Sequence, residues 1–241
     1  MLESNQIYQG DCLEIMEQID DQSIDMILCD LPYGQTAPLW DSCIDMVAVW
    51  RQYNRIVKKC NTVVLFAAQP YTSRVILSNE ENFRYCWYWI KNQGTNFFHA
   101  NRMPIRKVEE ICVFNKGRYS PQITGGHVPT NSAKGVSKGK AYSGVNVRNS
   151  SGGKVTRLPS NILEFKCVNN YLRYHSAEKP VDLCEYLIST YTEPGDLVLD
   201  NCIGSGTTAL AAQKIGRNFI GIEKESKYVE IANHRIREAR R

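Results

Sequence analysis

The stretch LVLDNCIGSGTTALAAQKIGRNFIGIE, residues 197 to 223, constrains the fold more than any other. An apolar run from Leu197 to Leu199 ends on Asp200, and glycines follow at 204 and 206. A helical pattern then opens near Thr207, and NFIGIE ends on Glu223. A strand, a glycine turn, a helix and a second strand in that order predict parallel pairing, with the helix carrying the chain back along the sheet. The glycines let backbone approach a ligand, and the helix start offers unpaired N–H groups. Gly204, Gly206 and Ala209 satisfy G-x-G-x-x-A, and Glu223 stands where a carboxylate accepts hydrogen bonds from ribose hydroxyls. Alone, the turn suits a nicotinamide dinucleotide as well as another adenosine cofactor, or a glycine needed only for tight helix–strand packing.

The rest of the chain repeats the alternation. SIDMILCD, NTVVLFA, FRYCWYWIK and VEEICVFN read as strands, rich in aromatic and β-branched residues. Helical patterning covers residues 12–19, 43–59 and 71–78, then EKPVDLCEYLISTYT, TTALAAQKIG and ESKYVEIANHRIREARR. The expected fold is therefore α/β, a mostly parallel sheet with helices on both faces. Only 37 residues follow Gly204, so further strands of that sheet must come from the N-terminal part.

Composition narrows the class. A 43% hydrophobic content excludes a disordered chain, and the length suits one large domain or a domain with an insertion. No apolar run of about 18 residues predicts a membrane span, and MLESNQIYQG has no signal-peptide pattern. The nine cysteines are scattered without a C-x-x-C pair and the four histidines lie far apart. That pattern predicts a reduced cytoplasmic protein without a structural metal. The charge is uneven: eight basic residues and no acidic one lie between Ile111 and Leu163. These are Lys116, Arg118, Lys134, Lys138, Lys140, Arg148, Lys154 and Arg157. Within the block, GGHVPTNSAKGVSKGKAYSGVNVRNSSGGK reads as loop, and its charge points to a polyanionic partner. The terminal RIREARR is also basic, but cations suit a helix C-terminus, and no role is assigned to it.

A second stretch raises a chemical question. ILCDLPYG, residues 27 to 34, runs an apolar strand into Asp30 and then Leu31, Pro32 and Tyr33. A strand-ending turn with an aromatic plug is one explanation. Presentation of an acid, a backbone carbonyl and a flat ring to a ligand is the other.

DLPYG resembles the D-P-P-Y motif of amino-group DNA methyltransferases, and LDNCIGSGTT resembles their cofactor motif L-D-P-F-x-G-S-G-T-T. The catalytic motif comes first, as in the permuted β-group of these enzymes. YQGDCLEIM resembles the group's N-G-D-C stretch, HSAEKP its H-P-T-Q-K-P, and FIGIEKESKYVEIANHRI its closing segment. Leu31, Asn201, Cys202, Ser176, Ala177 and Glu178 depart from the consensus residues.

The resemblance implies a Rossmann-like methyltransferase sheet with an antiparallel edge strand. A catalytic half would span 1–115, a target-recognition insertion 116–163 and a cofactor-binding half 164–241. It implies S-adenosylmethionine as cofactor and duplex DNA as substrate, adenine being favoured over cytosine by the leading aspartate. An enzyme of restriction-modification or phage and orphan kind is implied, which a homodimer would suit. Asp30 and the Leu31 carbonyl would accept the two amine hydrogens of the base. Pro32 would stiffen the turn and Tyr33 would stack on the flipped base. Gly204, Ser205 and Gly206 would face the methionine portion and Glu223 the ribose, and Thr207 would also bind the cofactor. Asp200 would lie near the amino-acid end, Asp11 near the adenosine and Lys179 near the cofactor's carboxylate. The eight basic residues of the block would meet DNA. No nucleophilic cysteine is required, so Cys29 reads as core. The rival classes are a nicotinamide-dependent oxidoreductase, which leaves DLPYG unexplained, and a DNA-binding protein without catalysis.

Overall fold

The structure is a computed structural model, and it describes residues 2–34, 43–129, 153–169 and 171–239. Eight strands form one sheet: β1 Gln6–Gln9, β2 Ile24–Cys29, β3 Val57–Ala67, β4 Phe83–Thr95, β5 Arg106–Phe114, β6 Ile162–Phe165, β7 Leu197–Asp200 and β8 Asn218–Glu223. The helices are α1 Cys12–Met16, α2 Met46–Ile56, α3 Tyr71–Leu77, α4 Val181–Tyr191, α5 Thr207–Lys214 and α6 Ser226–Glu238. The strand order is β1-β8-β7-β2-β3-β5-β4-β6. Pairing is parallel except where β5 lies against β3 and β4.

The antiparallel strand is therefore interior, not at the edge as expected. The return from β4 to β5 over residues 96–105 places β5 beside β3, and β4 then accepts β6 in parallel on its outer side. Two short strands escaped sequence reading. β1 (QIYQ) and β6 (ILEF) are only four residues each, too brief for a period to show, and they form the two edges. The helix expected over 43–59 ends at Ile56. β-Branched Val57 pairs with Ile24 and begins β3, so sheet pairing overrides the helical pattern there.

Alternation along each central strand sorts side chains to two helical layers. Ile27 and Cys29 of β2 pack with Val49, Tyr53 and Ile56 of α2. Met26 and Leu28 pack with Leu183, Leu187 and Ile188 of α4 and Ala209 and Ala212 of α5. The central strands are buried on both faces, which explains their continuous apolar runs.

The chain divides into two compact units, 1–120 with 161–241 and 121–160. The described part of the second unit is loop tied by an antiparallel bridge between Thr124 and Arg157.

The decisive feature of the first unit lies at its centre. β7 and β2 are parallel neighbours, with Met26 opposite Val198 and Ile27 opposite Leu199. From β7 the chain crosses through α5 to β8 on one side, and from β2 through α2 to β3 on the other. The two connections diverge and leave a crevice at the carboxyl ends of β7 and β2, where open α/β sheets bind ligands. Asp200 ends β7 and Asp30 follows β2, so the two sequence motifs meet there.

Candidate active site

A cavity of about 1020 Å³ opens at this crevice. It is lined from one side by Asp30, Leu31, Pro32 and Tyr33, and from the other by Asp200, Gly204, Ser205, Thr207 and Glu223. That volume lies at the upper end of the roughly 300–1,000 Å³ usual for a single ligand, leaving room for two reactants side by side.

At the β2 end both carboxylate oxygens of Asp30 are engaged. The Tyr33 hydroxyl donates to Oδ1 at 2.7 Å and the Lys179 ammonium to Oδ2 at 2.6 Å. Lys179 Nζ also lies 2.8 Å from Glu109 Oε1, and Lys91 pairs with the other oxygen of Glu109. Lys91, Glu109 and Lys179 are nearly buried, while Asp30 is more open. Two cations face two carboxylates, so the cluster is neutral as a whole. Burial alone would push the Glu109 carboxyl up, but Lys179 and Lys91 outweigh it and hold Glu109 below the usual carboxylate range. Burial alone would likewise lower Lys179, and Asp30 and Glu109 reverse that, holding the ammonium above its ordinary value.

Leu31 is buried and anchors the turn in the core shared with α2. Tyr33 stacks on Tyr71 of α3, centroids 4.8 Å apart with 24° between the planes. Burial pushes the Tyr33 hydroxyl well up, so at neutral pH it is a hydrogen donor to Asp30. Cys29 is fully buried, with its thiol pushed up to about 12 by burial. A thiol of that kind is core and not a nucleophile.

The β7 end is built differently. Asp200 is 5% exposed, and the Cys202 N–H donates to its Oδ1 at 3.1 Å. Burial raises its carboxyl to about 6, opposed by hydrogen bonding from Thr208 and Cys202. Glu223 accepts from the Gly204 N–H at 2.8 Å and the Glu225 N–H at 2.9 Å, and burial raises its carboxyl as well. Asp11 lines the cavity and also caps α1, accepting from the Leu13 N–H at 2.9 Å.

The two glycines serve different ends. Gly204 has φ +52° and a Cβ there would meet nothing within 4 Å, so the backbone lies open to the cavity. Gly206 has φ +86°, and its Cβ would stand 2.7 Å from Ala232 Cβ of α6. Gly206 stands between the cavity-lining Ser205 and Thr207, and its lack of a side chain allows α5 and α6 to pack closely.

Lys179 lines the same cavity, and its ammonium is engaged by Asp30 and Glu109. Glu109, Lys91 and Tyr71 were missed by sequence reading. A signal existed for Glu109: in VEEICVF it shares a strand face with Ile111 and Val113, and a carboxylate on an inward face demands a cation.

Of the basic block, Lys134, Lys138, Lys140 and Arg148 lie outside the described residues. Lys116 and Lys154 are exposed. Arg118 is paired with Glu193. Arg157 donates to its own unit, to the carbonyls of Val128 at 2.5 Å and of Lys154 and Thr156 at 3.0 Å. Those two arginines are already partnered.

Residues 24–234 match the family model described as DNA methylase, and the chain belongs to that family. Among curated relatives it resembles the type II methyltransferase M1.MboII of Moraxella bovis, 28% identical over 97% of this chain and 96% of the relative. It also resembles M.HindIII of Haemophilus influenzae, 25% identical over 95% of this chain and 94% of the relative. Among solved structures, the M1.HpyAVI–SAM complex superposes with a TM-score of 0.63 and 25% identity, covering 95% of this chain and 98% of that one. The cytosine-N4-specific PvuII DNA methyltransferase has a TM-score of 0.68 at 20% identity, covering 95% and 85%, and shares the fold.

Proposed function

We propose that the protein transfers a methyl group from S-adenosylmethionine to the exocyclic amine of adenine in duplex DNA. The observation that carries this reading is the convergence of Asp30-Leu31-Pro32-Tyr33 and the Asp200 glycine turn on one cavity. The donor set fits the cofactor. Gly204 gives open backbone, Asp200 and Glu223 are acceptors for amino and hydroxyl groups, and Ser205 and Thr207 complete that wall. When bound, the cofactor supplies an electrophilic methyl on a sulfonium.

An adenine amine is a weak nucleophile because its lone pair is delocalised into the ring. Asp30 accepts one amine hydrogen and the Leu31 carbonyl the other, which localises the lone pair on nitrogen. Asp30 is also the acceptor for the proton that the methylated amine sheds. A stacked base cannot present its amine to the cavity, so the nucleotide turns out of the duplex, and the Tyr33 ring, backed by Tyr71, offers it a face. Much of the rate comes from positioning and charge stabilisation, with no covalent intermediate. The basic segment 116–163 contacts the duplex and acts as the target-recognition insertion between the catalytic and cofactor halves. Lys116 and Lys154 are the exposed described cations available to phosphate.

The test is to incubate the protein with S-adenosylmethionine and unmethylated genomic DNA, then analyse the nucleosides by mass spectrometry, with Asp30→Ala alongside. N6-methyladenine is expected, lost in the variant. Methylcytosine would overturn the substrate base, and no methylated nucleoside would overturn the activity.

A further inference from the structure

The last helix fastens part of the site through Arg235, a side chain that the basic tail hides in the sequence. Arg235 of α6 is only 10% exposed, and its partner Glu178 only 3%. Arg235 Nη1 donates to the Ser205 carbonyl at 2.8 Å and to Ser205 Oγ at 3.1 Å. Its Nη2 stands 2.8 Å from Glu178 Oε1, and the guanidinium lies 4.9 Å from the Tyr174 ring centroid. Glu178 Oε2 accepts from the Tyr174 N–H at 2.7 Å and the His175 N–H at 3.4 Å. One guanidinium thus fastens the glycine turn, a wall of the cofactor end, to the loop 173–180. The residue after Glu178 in that loop is Lys179, whose ammonium sits on Asp30.

A buried ion pair is weak support for stability, because desolvation offsets the attraction and an apolar pair of similar volume folds as well. What a planar guanidinium adds, with one nitrogen on Glu178 and the other on Ser205, is fixed geometry. We propose that Arg235 and Glu178 form a positioning latch that couples the cofactor end of the cavity to Asp30 through Lys179. The proposal rests on the methyl-transfer reading above. Neither residue is catalytic, since both act through Ser205 and Lys179.

Removing one partner alone would strand a buried charge, so the test uses the double variant Arg235→Met/Glu178→Met, with Arg235→Lys as the conservative change. Two readouts do not depend on turnover: S-adenosylmethionine affinity by calorimetry, and the rate at which acetic anhydride modifies Lys179, followed by peptide mass spectrometry. Thermal unfolding checks folding. In the folded double variant the affinity is expected to fall at least tenfold and Lys179 modification to accelerate at least fivefold. Single-turnover transfer at saturating cofactor is expected to slow at least tenfold. Arg235→Lys, which keeps the charge without the fork, is expected to fall between. If the double variant does not fold, Arg235→Lys with both readouts at wild-type values would overturn the latch. A folded double variant in which either readout stays at the wild-type value would overturn it too. A wild-type protein that methylates no DNA, while both readouts still move in the variant, would overturn the methyl-transfer reading and leave the latch standing.

Discussion

The two ends of the cavity solve the burial of carboxylates in opposite ways. At the β2 end Glu109 and Asp30 are matched by Lys91 and Lys179, and the charges close on themselves. At the β7 end Asp200 and Glu223 accept from backbone N–H groups, and Asp200 from Thr208 as well, and both carboxyls are raised by burial. The first arrangement is complete without a ligand and holds Asp30 in one orientation. The second leaves acceptors short of positive charge, as a site for a cationic, hydroxyl-bearing ligand should be. On the proposed reading, preorganisation belongs to the catalytic end, and coupling to ligand and pH belongs to the cofactor end.

The sharpest way to break this comparison is Lys179→Met. If Lys179 serves Asp30, methyl transfer at saturating cofactor falls by on the order of 10²-fold, the scale of losing one charge-positioning group, while S-adenosylmethionine affinity is unchanged. A loss of affinity with transfer preserved would return Lys179 to the cofactor's carboxylate.

A second test uses pH. Asp200 has a folded-state value of about 6, above its ordinary 3.8. The folded state therefore binds the proton more tightly than the unfolded chain, and this group's contribution to stability falls as pH rises from about 4 to about 6, then stays level. The whole difference corresponds to about 3 kcal/mol. Asp200→Asn should flatten that slope in ligand-free protein, seen as thermal midpoints across pH 4–8, while weakening cofactor binding about tenfold at pH 7. In the wild type, affinity should rise through pH 6 as Asp200 ionises. Glu109 has the opposite sign. Its value is lowered, so its stability is present above the ordinary carboxylate value of 4.5 and lost below that as pH falls through the folded value. The catalytic end should thus show no titration of Glu109 between pH 6 and 8.

The smallest effects separate the glycines. Gly206→Ala adds a Cβ against Ala232 in left-handed backbone, and should cost about 2–4 kcal/mol from that strain and overpacking together. Gly204→Ala meets open space and should cost only about 1–2 kcal/mol, the backbone penalty alone. Denaturant unfolding of both variants reads the difference. Equal costs would contradict the separate roles.

Much of the fold was legible because it rests on local periodicity. The runs that became β2, β5, β7 and β8 are apolar enough to announce central strands, and Asp200 with its glycines announced a ligand turn. Edge strands β1 and β6 had no such signal, since four half-buried residues gain their structure from a neighbour's hydrogen bonds. The site divided likewise. Asp30, Tyr33, Asp200, Gly204 and Glu223 sit at strand ends and are readable as such. Glu109 and Lys91 lie within strands, and their pairing with Lys179 spans distant parts of the chain. Gly206 followed the motif pattern, yet only the packing of α5 on α6 shows which neighbour needs it.

The central claim is that one cavity has a catalytic end and a cofactor end that can be disabled separately. The direct measurement is calorimetric titration of S-adenosylmethionine into wild type, Asp30→Ala and Asp200→Asn, with single-turnover transfer measured on the same preparations. Asp30→Ala should bind cofactor as the wild type does and transfer no methyl group, whereas Asp200→Asn should bind weakly and recover transfer at high cofactor concentration. Parallel loss of binding and transfer in Asp30→Ala would contradict the division.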